Sequence, residues 1–435
     1  MIRQRMTVLL MVVAAATAVK SQTERTMTVD ELFQLIESNS KTLQVEKTSV
    51  EFAQKGIEVA RAGRLPDVSA QASVSFNGNV LVSDRDFSNM HGYSAPHLGN
   101  SLMVEAQQVV YAGGAIDAGI RLAELQHEQA LVGQAQSRDA QRFLGLGQFL
   151  DLYKLTRRQQ VYEDNIQLTQ RLIDDIRAKH EQGMALKNDI TRYELQLESL
   201  RLGLRQLHDR QSILNYQLCN QIGLTEDIKV VPLCDEETAY AEESLAQATT
   251  TAQAASPMMK QSALGMRVAE QQLKLARSEQ RPKVALFAAD QLNGPYIYDL
   301  PPKDVNVNNW FVGVGISYSL SSLFKQSKRI RQAEVASQQS LDNHELNKER
   351  LNNQVQESWT FYEQSFADLE TQRKSVQLAR QNYEVVSERY LAGLALVTDM
   401  LDASSMKLQA ELNEVDARIN IAYARYRLKY VSGTL

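Results

Sequence analysis

The chain repeats itself at long range. Ile120-Arg121, Ala123-Glu124 and Leu131 return as Ile330-Arg331, Ala333-Glu334 and Leu341. Gly183-Met184-Ala185-Leu186-Lys187-Asn188-Asp189-Ile190 returns as Gly393-Leu394-Ala395-Leu396-Val397-Thr398-Asp399-Met400. One step of 210 positions relates both matches, so the stretch between them has the same length in each copy. Farther upstream, Ala60-Arg61 with Pro66 returns as Ala276-Arg277 with Pro282. Two tandem copies of one large unit are unlike an ordinary enzyme domain, and each copy must fold the same way twice.

Most of each copy reads as helix. Only 20 Gly and 8 Pro punctuate 435 residues. Residues 115–180 contain no Pro and almost no Gly, which predicts one helix of about 65 residues, ~100 Å long at 1.5 Å per residue. Gly183 breaks it, and a second helix follows over 187–222. The second copy predicts the same pair over 326–390 and from 397 to about 430, broken at Gly393. A shorter helix precedes each pair, at 41–64 and 258–280. Thr28 and Glu31 predict a capping box that opens another short helix, ending near Ile36. Val355, Tyr362, Leu369, Val376, Tyr383 and Tyr390 recur every seven residues, with Trp359 and Phe366 in second positions. Leu152, Ile166 and Ile173 hold the same register in the first copy. Such a heptad implies left-handed coiling against neighbouring helices.

After Pro66 and Pro282 the period changes to two. Val68, Ala70, Ala72, Val74 and Phe76 alternate with Ser69, Gln71, Ser73 and Ser75; Trp310, Val312, Val314 and Ile316 alternate with Gly313, Gly315 and Ser317. With segments at 102–111 and 282–292, each chain offers four strands of about ten residues. That length crosses a bilayer when tilted, and the alternation suits lipid on one face and water on the other. Four strands leave two open edges, which hydrocarbon does not tolerate, and are too few to close a barrel. Several chains must then share one barrel, and three would supply twelve strands. The fold class expected is an α+β membrane protein: internally duplicated, with strands for a shared trimeric barrel and a long antiparallel coiled-coil helical barrel.

The N-terminus reads as a secretory signal over 1–21. Arg3 and Arg5 precede an apolar run at 6–18, and Ala16-Thr17-Ala18 has the cleavage pattern. No later run approaches the ~20 apolar residues of a membrane helix. The remaining boundaries are 22–222 for the first repeat, 223–256 for a mixed segment and 257–435 for the second repeat. The net charge of −5, with no basic cluster read against it, argues against a nucleic-acid partner. Cys219 and Cys234 can close a disulfide in an oxidising compartment or stand as two buried thiols.

Catalytic patterns are missing from the reading. His91, His97, His127, His180, His208 and His344 have no metal-ligand spacing. Gly145-Leu146-Gly147 falls inside a helix and Gly313-Val314-Gly315 inside a strand, so neither is a phosphate loop. No enzyme activity, cofactor or metal is expected.

The doubled order of helix, strand, strand, long helix, Gly turn and helix resembles the TolC-type outer-membrane efflux duct family across essentially the whole chain after 1–21. The two Ala-Arg-x4-Pro strand entries, the Gly113-Gly114 exit and the two Gly-x-Ala-Leu-x-x-Asp turns carry the likeness. The resemblance implies a homotrimeric exit duct of a tripartite efflux or type I secretion system, in the outer membrane of a Gram-negative bacterium, with a periplasmic helical tunnel. The mixed segment would form an equatorial belt. The partners implied are outer-membrane lipid, a periplasmic adaptor (membrane fusion) protein and an inner-membrane pump of RND or ABC type.

By the same resemblance, Asp399 and Asp402 match acidic positions at the narrow mouth, Asp189 the acid of the first turn, and Tyr390 an aromatic that holds the mouth shut. Gly183, Met184 and Ala185, with Gly393, Leu394 and Ala395, match the turns that meet the adaptor. Ala395 replaces an arginine of the family pattern and removes one expected lock. Read without the resemblance, Asn188-Asp189 and Thr398-Asp399 are helix N-caps worth ~1 kcal/mol. Asp402 lies one turn on and has no such role. The alternative function is a secreted periplasmic coiled-coil structural or adaptor protein with no barrel.

Overall fold

The computed structural model describes residues 23–225, 227–234 and 244–435. The expected signal peptide at 1–21 lies outside the described residues, as do 226 and 235–243 of the mixed segment. In chain order the elements are β1 (Thr23–Met27), α1 (Val29–Asn39), α2 (Lys41–Ala62), β2 (Asp67–Phe76), β3 (Val80–Val82), β4 (His91–Tyr93), β5 (Leu98–Ala112) and α3 (Ala115–Glu181). Then come α4 (Lys187–Ile222), β6 (Ile228–Pro232), α5 (Leu245–Ala255), α6 (Pro257–Ser278), β7 (Lys283–Gly294), β8 (Val307–Ser317), α7 (Ser322–Leu391) and α8 (Val397–Ser432). Two compact units emerge, and each draws on both sequence repeats.

One unit comprises Glu46–Gln134 and Pro257–Lys348. Its centre is an antiparallel sheet in the order β2-β5-β7-β8. The repeats meet at β5 and β7, so β2 and β8 are its edges. Register places Ala70, Val104, Asp290 and Trp310 in one row across the sheet. Period two then sorts the faces. One carries Val68, Val74, Phe76, Leu102, Val104, Leu286, Trp310, Val312, Val314 and Ile316. The other carries Ser69, Gln71, Ser73, Ser101, Glu105, Gln291 and Asn309. Asp290, beside Trp310, is the carboxylate on the apolar face. On the polar face Phe287 meets Phe311 edge-on at 6.0 Å. Phe287 also explains Gly313, where a Cβ would stand 2.6 Å from the Phe287 ring.

The edge strands leave their apolar side chains uncovered: Val68, Val74, Phe76, Trp310, Val312, Val314 and Ile316 are 65–83 % exposed. β5 begins at Leu98, earlier than alternation alone suggested, because Leu98–Ser101 pair with Phe76–Ser73 of β2. The loop between β2 and β5 holds the small β3–β4 hairpin, too short for a periodic signal.

The repeated Ala-Arg and Ala-Glu motifs find one another. Arg61 pairs with Glu124 at 3.3 Å, and the second copy pairs Arg277 with Glu334 at 3.0 Å. Both pairs are exposed and worth at most ~1 kcal/mol. They fix the pitch between the shorter helix and the long one more than they stabilise it.

The other unit comprises residues up to Val45, Ala135–Ser256 and Glu349–Leu435. β1 and β6 pair in parallel, so the N-terminal segment packs with the mixed segment. Met27, Leu32, Ile36, Phe149, Leu152, Leu218, Cys219, Ile222 and Val230 form the core beneath them. Thr28 caps α1 by accepting from Glu31 N, but Glu31 does not complete the box. Its carboxylate pairs with Arg25 instead. Cys219 and Cys234 pack in the same apolar cluster as two thiols; the disulfide alternative is not formed. Burial raises the Cys219 thiol pKa. Along α7 the heptad side chains Val355, Trp359, Tyr362, Leu369 and Val376 are buried, with Tyr362 edge-on to Phe366 at 5.1 Å.

Candidate functional site at the paired helix turns

Each long helix stops at a glycine for a backbone reason. Gly183 and Gly393 have φ of +73° and +74°, and a Cβ on either would meet nothing within 4 Å. Left-handed backbone therefore selects glycine here, not crowding. Met184 N donates to Lys179 O and Leu394 N to Arg389 O, closing both helices with the same Schellman-type bond.

The restart of each helix corrects the capping expected from sequence. Leu186 and Leu396 are the N-caps, in extended backbone, and leucine has no side-chain acceptor. Asp189 and Asp399 sit three residues later and reach back. Asp189 Oδ2 accepts from Leu186 N at 3.4 Å, and Asp399 Oδ2 from Leu396 N at 3.0 Å. Each carboxylate satisfies an otherwise orphaned N–H and favours the positive helix end. Asp402 is exposed and makes no hydrogen bond among the described residues.

The two turns line one cavity of about 510 Å³. Lys179, Met184, Ala185, Leu186, Asp189 and Arg192 come from the first turn region; Tyr390, Leu391, Gly393, Ala395 and Leu396 come from the second. Lys179 Nζ donates to Leu391 O at 2.6 Å and ties one helix end to the other. Arg177 pairs with Glu194 at 2.6 Å across the first turn. The structure thus brings Asp189, Tyr390, Gly393 and Ala395 together, while Asp399 and Asp402 lie outside the cavity lining.

Tyr390 packs against a core of Leu172, Ile173, Ile176, Tyr193, Leu197 and Met400. Burial raises its hydroxyl pKa, and the Asp189 charge adds to the effect. Tyr193 is the residue the sequence reading missed. It is 1 % exposed, and its hydroxyl has no hydrogen-bond partner. Burial pushes that hydroxyl far up, with smaller contributions from Tyr390, Tyr383 and Asp189. The spacing of Tyr193, Leu197 and Leu200, an i, i+4, i+7 stripe, was the signal available. Its counterpart 210 positions on is Ala403, also buried, so the two copies fill this core unequally. A buried hydroxyl without a partner costs about 1–3 kcal/mol. Tyr193→Phe is expected to raise thermal stability by roughly 1 kcal/mol, whereas Tyr193→Ala should lower it by about 3–5 kcal/mol. Thermal unfolding followed by circular dichroism checks both; a Phe variant less stable than the parent would mean that the hydroxyl has a partner.

No helix among the described residues is long and apolar enough to cross a membrane. The described residues thus hold a duplicated antiparallel sheet with an uncovered apolar face and long helices that turn at paired glycines. The chain has the fold of the OprN outer-membrane channel, with a TM-score of 0.78 at 14 % identity over 94 % of this chain and 90 % of that one. VceC, an outer membrane protein of Vibrio cholerae, gives 0.75 at 16 % identity over 93 % and 96 %. The CmeC outer membrane channel of Campylobacter jejuni gives 0.75 at 12 % identity over 93 % and 85 %. Residues 248–434 match the family described as outer membrane efflux protein, so the resemblance seen in the repeats stands. No curated protein matches the sequence.

Proposed function

We propose that three copies of this chain form an outer-membrane exit duct that passes molecules outward without chemistry. One observation carries the reading: a four-stranded sheet with two unpaired edges and an apolar face open along its edge strands. In water such a face is an aggregation hazard. In a bilayer both edges must be paired, and pairing β8 of one copy with β2 of the next closes a barrel of twelve strands. The apolar face then meets lipid, and the face of Ser, Gln and Asn lines the lumen.

The helices project into the periplasm and meet at the turns. Met184, Leu186, Leu394 and Leu396 are 66–70 % exposed, an apolar tip that suits docking by a periplasmic adaptor hairpin. The adaptor bridges to an inner-membrane pump, of RND or ABC type, that supplies the energy. In the duct Asp399 and Asp402 form acidic rings, Asp189 and Tyr390 hold the two turns of one copy together, and opening parts the turns. Lys179, through its bond to Leu391 O, replaces part of the lock that Ala395 cannot supply.

Membrane fractionation tests the proposal. A trimer extracted only by detergent, and stable to mild heating, is the expected result. A soluble monomer released from the periplasm would overturn it and favour the secreted coiled-coil alternative.

A further inference from the structure

The net charge of the whole chain conceals a local excess that the sequence reading passed over. No acidic residue occurs between Asp304 and Glu334, yet Lys325, Lys328, Arg329 and Arg331 fall in the first turns of α7. All four are exposed, and none pairs with a carboxylate among the described residues. Several other cations of the same unit are paired, Arg61 with Glu124, Arg64 with Asp117, Arg267 with Glu128 and Arg277 with Glu334, and the cations without a carboxylate partner elsewhere in it, such as Lys47, Arg85 and Lys260, are scattered in sequence.

The fold itself does not call for these charges. Lys325, at the end of the first turn, opposes the macrodipole, and Lys328, Arg329 and Arg331 lie beyond its reach and gain nothing from it. The equivalent helix α3 has Asp117 in its first turn, whereas α7 has no acid there. The duplication supplies an internal control. One step of 210 positions places Ala115, Ala118 and Gly119 where the second copy has Lys325, Lys328 and Arg329. Arg331 corresponds to Arg121, whose guanidinium is held by Glu124 at 2.7 Å. The same long helix therefore starts without an unpaired cation in the first copy.

Position supplies the ligand. Ile316 is the last residue of the apolar face of β8, and Leu320 and Phe324 follow it, both exposed. Phe324, Lys328 and Arg331 lie within an arc of about 60° on the helix, and the four cations span ~9 Å of its axis. The polar layer on each side of a bilayer core is about 5–8 Å deep. Apolar anchors followed at once by unpaired cations are the pattern of a surface that sits in lipid headgroups.

We infer that residues 320–331 bind the anionic phospholipid headgroups of the leaflet on the helical side of the barrel. This rests on the barrel reading above. Each Lys or Arg near an anionic surface adds roughly fivefold to binding.

Native mass spectrometry of the full-length protein, released from nanodiscs of mixed phosphatidylcholine and phosphatidylglycerol, tests the inference. The parent should retain phosphatidylglycerol at least tenfold over phosphatidylcholine, less so as salt rises. Lys325→Gln/Lys328→Gln/Arg329→Gln/Arg331→Gln should lose that preference. A charge-matched control, Lys41→Gln/Lys47→Gln/Lys348→Gln/Arg350→Gln, should keep it. A parent with no preference, or a quadruple variant that keeps it, overturns the inference. Insertion of the parent into vesicles of phosphatidylcholine alone separates this outcome from failure of the barrel itself, since a protein that enters no bilayer refutes both.

Discussion

Val312→Arg is expected to abolish the membrane-borne trimer, while Gln71→Arg leaves it assembled. The two positions belong to one sheet and face opposite ways. Val312 stands on the apolar face beside Trp310 and Val314 and is exposed in the single chain. Gln71 stands on the polar face, paired with Met103. An arginine facing lipid near the bilayer midplane costs about 2–4 kcal/mol, so three copies cost roughly 6–12 kcal/mol. That is comparable to the whole net stability of an ordinary domain, about 5–15 kcal/mol. An arginine facing a water-filled lumen keeps its hydration and costs little. The readout is the heat-resistant trimer band and the share of protein in the membrane fraction. If both variants assemble equally, the apolar face does not meet lipid and the duct reading falls.

The sheet that carries this prediction was largely legible in the sequence. Strict alternation in β2 and β8 gave the strand type and the facing of Val312 and Gln71, because period two is a local property. Order within the sheet was not legible: that β5 pairs with β7 and joins the two repeats depends on contacts far apart in sequence. The first residues of β5 were missed because Gly99 and Asn100 read as loop, and only their partners on β2 make them strand. β1 was missed because a short strand becomes visible only against β6, some two hundred positions away. The helices were read to within a few residues because long runs without Pro or Gly leave little choice.

The turns divided in the same way. Gly183 and Gly393 were legible as breaks, since nothing else ends a helix of that length. The caps were assigned to the wrong residues. Sequence preference favours Asn, Asp or Thr as the cap, but the backbone turns extended at Leu186 and Leu396, and the aspartates act from the third helical position. Tyr193 and Lys179 were overlooked for a different reason. Their importance comes from one turn lying beside the other, and only the folded chain makes that adjacency.

Asp399→Ala/Asp402→Ala is expected to weaken block of the channel by a multivalent cation at least tenfold, while Arg192→Ala should strengthen it. In the proposed trimer the double change removes six carboxylates from the narrow mouth. Closely spaced carboxylates in a confined pore hold a multivalent cation far better than a monovalent one. The duplication adds a condition that the acidic positions alone do not reveal. One step of 210 positions takes Arg192 to Asp402, so around a pore built from both copies the acid and the base occupy alternating equivalent places. Arg192 lines the cavity between the turns, together with Asp189. Its charge opposes that of Asp402 and lowers the affinity of the mouth for cations, so its removal unmasks the acids. Planar-bilayer conductance with a titrated trivalent cation measures both effects. Unchanged block in the double variant would mean that the acids do not face the conduction path. Weaker block in Arg192→Ala would mean that Arg192 orders the mouth and does not neutralise it.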